Sequence, residues 1–255
     1  RKVPVLQVGA DVYCDTRLIV RELERRFPEP SVFPSGSEGL ATALAAWSDR
    51  SFFDPGAGLS MGLNVAMIPR EVIEDRKGFF NFMDFDRLES DTPQLFTQFR
   101  ANLAIVERML ADGRSFVLGP AVSWADVCAY FPVWMARNNI GSAAALLEPF
   151  PALRAWERRM GAIGNGDRGE LVGREALAIA RAAEPAPGGG VDPSDPLGLA
   201  AGERVMVTPD DYGRIPVEGA LVTLGVDEVA LRRESPETGA VVVHFPRLGY
   251  RVERA

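Results

Sequence analysis

The spacing of apolar positions divides the chain into three stretches of different character. Residues 2–8, Lys-Val-Pro-Val-Leu-Gln-Val, are a short apolar run that reads as a buried strand, with Pro4 marking an edge or a special backbone position. Gly9-Ala10-Asp11 reads as a turn and Val12-Tyr13 as a short returning strand, so a β-hairpin is predicted. Asp15 or Thr16 is a good N-cap for the helix behind it. There Ile19, Leu23 and Phe27 recur every four residues, and Pro28 and Pro30 end the helix.

A segment rich in serine, proline and glycine, 31–37, then suits a linker. From about 38 to 184 the pattern is helical. Helices are predicted over 39–53, 69–86 (with proline in its first turn), 93–112, 123–137, 151–160 and 168–183. The third carries a long stripe, Leu95, Phe99, Leu103, Val106 and Leu110. The Pro-Ala-Pro-Gly-Gly-Gly run at 185–190 reads as the heart of a second, flexible linker, 185–196. Beyond it the composition changes to valine-rich runs, 203–208, 217–224, 228–233, 240–245 and 250–253, separated by turn residues. That spacing is expected of a small β-barrel-like module over 197–255.

Composition narrows the choice of function. At 255 residues and 47% hydrophobic, the chain can bury the cores of two domains. No apolar run approaches the roughly 18 residues of a membrane span, and no secretory signal opens the chain, so a protein with no membrane partner is expected. Net charge is −7, and the 203–255 region carries seven arginines against nine carboxylates, which argues against a nucleic-acid partner. Cys14 and Cys128 are isolated and His244 is the single histidine, so neither a metal site nor a Ser-His-Asp triad is expected. Two isolated cysteines suit a cytoplasmic location.

Three constellations carry candidate chemistry. Val3-Pro4 followed by Asp15-Thr16 sets a proline-bearing strand beside a capped helix start. A cis proline there would leave the preceding residue's backbone open to a bound peptide, and the helix N-terminus offers N–H groups to an anion. The same residues also fit a plain hairpin with an N-cap. Ser123-Trp124-Ala125-Asp126 is a capping box with aspartate in place of glutamate, which needs only a folding role. Trp47, Phe52, Phe53, Phe79, Phe80, Phe82 and Phe85 fit either a pocket wall or ordinary helix packing. Asp49 and Arg50 fit either a cleft or a solvated face. Cys14, at a strand end, has no activating histidine or lysine near it in sequence.

Residues 2–6, Lys-Val-Pro-Val-Leu, together with 15–28, Asp-Thr-Arg-Leu-Ile-Val-Arg-Glu-Leu-Glu-Arg-Arg-Phe-Pro, closely resemble the second half of the N-terminal lobe of glutathione S-transferases. The 123–126 motif resembles the capping box of that family's helical domain. The resemblance covers about 1–183 and implies a mixed α/β and all-α fold. Its parts are a partial thioredoxin-like, glutathione-binding lobe at 1–30 and the transferase helical bundle at 38–184, and the all-β module from about 197 lies outside the usual family pattern. It implies glutathione as co-substrate, joined as thiolate to an electrophilic small molecule, and a homodimer. Val3 before Pro4 would pair with the cysteinyl backbone, and Asp15 and Thr16 would hold the γ-glutamyl end. The usual pair there is Glu-Ser or Asp-Ser, and Asp-Thr keeps both the charge and the hydroxyl. The family's thiol-activating Ser, Tyr or Cys belongs to the βαβ unit before this point. The chain opens at Arg1 without methionine, so the catalytic residue is unknown and expected outside this sequence. The alternative is a non-catalytic scaffold of the same fold that acts through protein partners of its β domain.

Overall fold

The computed structural model describes residues 3–255. The chain forms two compact units. One is helical, Phe27–Gly166. The other joins residues up to Arg26 with Asp167–Ala255.

The helical unit holds α2 (Glu38–Trp47), α3 (Phe53–Asn64), α4 (Arg70–Phe79), α5 (Leu88–Met109), α6 (Trp124–Asn139), α7 (Ala143–Leu147) and α8 (Pro151–Ile163). The α1 label belongs to Thr16–Arg26 in the other unit. The stripe read at 95–110 does face the core, with Phe99, Leu103 and Val106 fully buried. The helix read over 39–53 continues instead through a π-turn at Ser48–Phe52 into α3. Pro55 offers no N–H to the Ser51 carbonyl four residues back, and that carbonyl accepts from Asn102 Nδ2 at 2.8 Å. Glycines in α3 then let it approach α5. A Cβ at Gly56 would come within 2.8 Å of the Phe99 ring. Residues that look like helix breakers are what bring these two helices together.

The other unit is built on one sheet. Its strands are β1 (Val5–Val8), β2 (Asp11–Cys14), β3 (Gly190–Val191), β4 (Arg204–Pro209), β5 (Val217–Leu224), β6 (Glu228–Ser235), β7 (Gly239–Pro246) and β8 (Tyr250–Arg254). Their order is β1-β2-β7-β6-β5-β4-β8, with β3 added on β5. The C-terminal strands make an antiparallel run from β7 to β8. The N-terminal hairpin enters the same sheet. β2 lies parallel to β7, with Asp11, Val12 and Tyr13 opposite Val242, Val243 and His244. Helix α1 contacts β1, β2 and β7, and α9 (Gly173–Arg181) contacts β7. Cys14, Val205, Val207, Leu221, Leu231, Val243, Phe245 and Tyr250 share one core, so it draws on both ends of the chain.

The stretch 185–196 is tied to that sheet and is no loose joint. Ala186 N–H donates to Asp11, Gly189 N–H to Thr223 Oγ1, and Asp192 N–H to the Leu224 carbonyl. Glycines that suggest freedom serve here as a close-lying strand addition to β5.

Candidate functional site

The site begins where β2 turns into α1. Asp15 has φ +75°, a left-handed backbone that side chains other than asparagine and aspartate seldom adopt. Its carbonyl accepts from Leu18 and Ile19 N–H at 3.2 and 3.0 Å. Its carboxylate accepts from Arg17 N–H at 3.1 Å. Asp15 is thus the N-cap, and Thr16 is the first helical residue, half-buried. The Val3-Pro4 peptide is cis, as the proline-strand reading anticipates, and Val3 is 90% exposed. The second carboxylate oxygen of Asp15 accepts from the Tyr250 hydroxyl of β8 at 3.2 Å. Arg17 Nη1 reaches the Leu248 carbonyl at 3.5 Å. Tyr250 escapes sequence reading because nothing in its neighbourhood of the chain points to residue 15.

A charged network lies behind β2. His244 sits between two carboxylates, Nδ1 at 2.6 Å from Glu228 and Nε2 at 2.9 Å from Asp11. Burial works against its charged form, but the hydrogen bonds it donates to Glu228 and Asp11 outweigh that, and the imidazole pKa lies above its ordinary value. Its ring stacks on Tyr13 at 4.4 Å. The Tyr13 phenol is pushed up to about 12, first by burial and then by the charges of Glu22 and Asp11. Glu22 is lowered to about 2 by its hydrogen bonds with Arg25 and Arg26, against burial. Both ring nitrogens of His244 are engaged by carboxylates, so this group ties strands together and has none left for a substrate.

The 123–126 motif forms the capping box it was read as. Ser123 caps α6, and Asp126 accepts from Ser123 N–H and Oγ at 2.9 and 2.5 Å. It also accepts from Val117 N–H at 2.7 Å and Trp156 Nε1 at 2.8 Å.

The family model for the glutathione S-transferase C-terminal domain matches residues 72–159. A solved GST-like protein from Pseudomonas syringae is 32% identical to this chain. The match spans all of this chain and 82% of that one, with a TM-score of 0.80. The chain belongs to the glutathione S-transferase family. More distant are a glutathione transferase from Populus trichocarpa and a theta class enzyme from Xanthomonas axonopodis pv. citri. The first is 14% identical over 63% of this chain and 70% of its own, with a TM-score of 0.48. The second is 21% identical over 62% and 74%, with a TM-score of 0.46. No protein of curated function matches the sequence.

The remaining candidates of this glutathione S-transferase family member divide clearly. Cys14 and Cys128 are buried, Cys14 within the sheet core. Phe52 is fully buried against Phe99, and Trp47 donates from Nε1 to Asn102, so both serve helix packing. Phe53 stacks on Phe131 at 5.8 Å and meets Phe82 edge-on. Phe131 and Trp134 are each 48% exposed and stacked, an aromatic step the sequence reading did not include. Asp49 and Arg50 lie in the π-turn, Arg50 exposed. Among the described residues no cluster of three metal-ligating side chains occurs, and no helix is long and apolar enough to cross a membrane.

Proposed function

We propose that the protein is a glutathione-dependent transferase. The sulfur of glutathione, as thiolate, forms a bond to an electrophilic carbon of a small molecule, whose leaving group departs with the electron pair or whose double bond accepts it. The observation that carries this reading is the Asp15-Thr16 pair at the start of α1, set by the hairpin register beside the exposed Val3-Pro4 segment. The γ-glutamyl end of glutathione bears an ammonium and a carboxylate on one carbon. The Asp15 carboxylate suits the first. The Thr16 hydroxyl and the positive end of α1 suit the second. Val3 and Pro4 supply exposed backbone for the cysteinyl residue. Family membership supports the same assignment, and with it a homodimer. Two buried thiols outside any disulfide go with a cytoplasmic setting. The thiol-activating residue is not assigned.

The test is calorimetric titration of reduced glutathione into the intact natural protein and into Asp15→Ala/Thr16→Ala. The double variant is expected to bind at least about 10-fold more weakly, since each charge-assisted contact contributes on the order of 1.5–3 kcal/mol. No binding by the unaltered protein would overturn the transferase reading in favour of a scaffold. Equal binding by the variant would remove these two residues from the site.

A further inference from the structure

The glutathione-binding reading of Asp15 leaves one contact unexplained, and the inference drawn from it rests on that reading. Tyr250 opens β8, the last strand of the sheet. Its ring is 7% exposed and lies against Phe245 at 5.5 Å, in the core shared with Cys14. Its hydroxyl leaves that core and donates to the Asp15 carboxylate. The other carboxylate oxygen accepts from Arg17 N–H. The carboxylate is therefore held at both oxygens, and turning it about its own axis breaks both bonds.

The chain before Tyr250 is fitted to the same helix start. Arg17 Nη1 points at the Leu248 carbonyl. Gly249 has φ +81°, and a Cβ there would stand 3.1 Å from Arg17 Nη1. The left-handed backbone of this turn calls for glycine, and the Arg17 guanidinium lies close beside it. Asp15 holds its own left-handed backbone, which persists where surrounding contacts fix it. A tyrosine suits this place chemically. A phenol donates one hydrogen bond and brings no positive charge, so it orients the carboxylate without neutralising it. An arginine in the same position would compete with an incoming ammonium.

We propose that Tyr250 is a positioning residue of the glutathione site, brought by the C-terminal β domain to aim the Asp15 carboxylate at the α-ammonium of the γ-glutamyl end. The β domain is then part of the ligand site.

The test is a double-mutant cycle in the intact protein, with reduced glutathione titrated calorimetrically. Tyr250→Phe keeps the ring and its contact with Phe245, so the protein should stay folded, with a melting temperature within a few degrees of the parent. It should weaken glutathione binding about 5-fold, because the Asp15 carboxylate keeps its charge and loses only the bond that aims it. In an Asp15→Gly background, the same Tyr250→Phe change should have no further effect. Unchanged binding in Tyr250→Phe, tighter binding, or equal weakening in both backgrounds would each overturn the positioning role. If Asp15→Gly itself binds glutathione like the parent, the assignment of Asp15 falls and this proposal with it. If only the tyrosine change is silent, the glutathione site stands and Tyr250 leaves it.

Discussion

Two aspartates at helix starts are held differently, and the contrast sets a folding residue beside one proposed to meet a ligand. Asp126, in the first turn of α6, is fully buried, and four donors from its own helical unit surround its carboxylate. Nothing further can approach it. Asp15, capping α1, is half-buried on a left-handed backbone, and one of its donors comes from a residue 235 positions away. Both carboxylates satisfy a helix terminus. A carboxylate enclosed by fixed donors stabilises a domain. One that is oriented at a partly open helix start, on strained backbone, can be directed at a ligand.

That contrast can be broken most sharply at Asp126. Replacing it with alanine leaves buried donors from Ser123, Val117 and Trp156 without an acceptor, and should cost about 3–5 kcal/mol in urea unfolding of the helical unit. A cost below about 1 kcal/mol would remove the distinction drawn here. Asp15→Gly is the opposite case. Glycine accepts the left-handed backbone and is nearly as good an N-cap, so the cost should stay within about 1–2 kcal/mol, most of it from the Tyr250 hydroxyl left without its acceptor. Glutathione affinity should nevertheless fall at least about 10-fold, roughly 1.4 kcal/mol. An unfolded Asp15→Gly protein would place Asp15 beside Asp126 as a folding residue.

A third carboxylate, Asp11, sharpens the comparison through His244. The histidine's pKa is raised in the folded protein, by hydrogen bonds to Glu228 and Asp11 that outweigh burial. The groups facing it are Asp11 and Tyr13 from β2 and Glu228 from β6. Its stabilising contribution is therefore fully present below the ordinary histidine pKa of 6.5 and is lost as pH rises through the higher folded value. The melting-temperature difference between the parent and His244→Gln should be largest near pH 6 and smaller by a few degrees near pH 9. A difference independent of pH would mean that the histidine contributes by packing alone.

Local pattern made most elements readable. The run at 217–224 coincides with β5, and the 95–110 stripe lies in α5 because a single buried face imposes its own period. Residues 54–64 fall outside the predicted helices, since Pro55, Gly56, Gly58 and Gly62 look like breakers until α5 is known to lie against them. Asp15 and Thr16 were legible because a capped helix leaves a local signature. Tyr250 was not, because period and turn residues report what a strand is and not which distant residue it will touch. His244 did leave a trace. A lone histidine inside Val-Val-Val-His-Phe needs buried partners, although only the fold names Asp11 and Glu228.

The parallel pairing of β2 with β7 also sets an order of events during synthesis. Asp11 and His244 are 233 residues apart, and the helical unit lies wholly between the two halves of the sheet. At about 5–20 residues per second, the hairpin leaves the ribosome roughly 10–50 s before its neighbouring strand exists. Phe27–Gly166 carries its own core and can fold in that interval. Nascent β2 meanwhile presents an unpaired edge to every other strand in the cell, a hazard that ends only when β7 emerges.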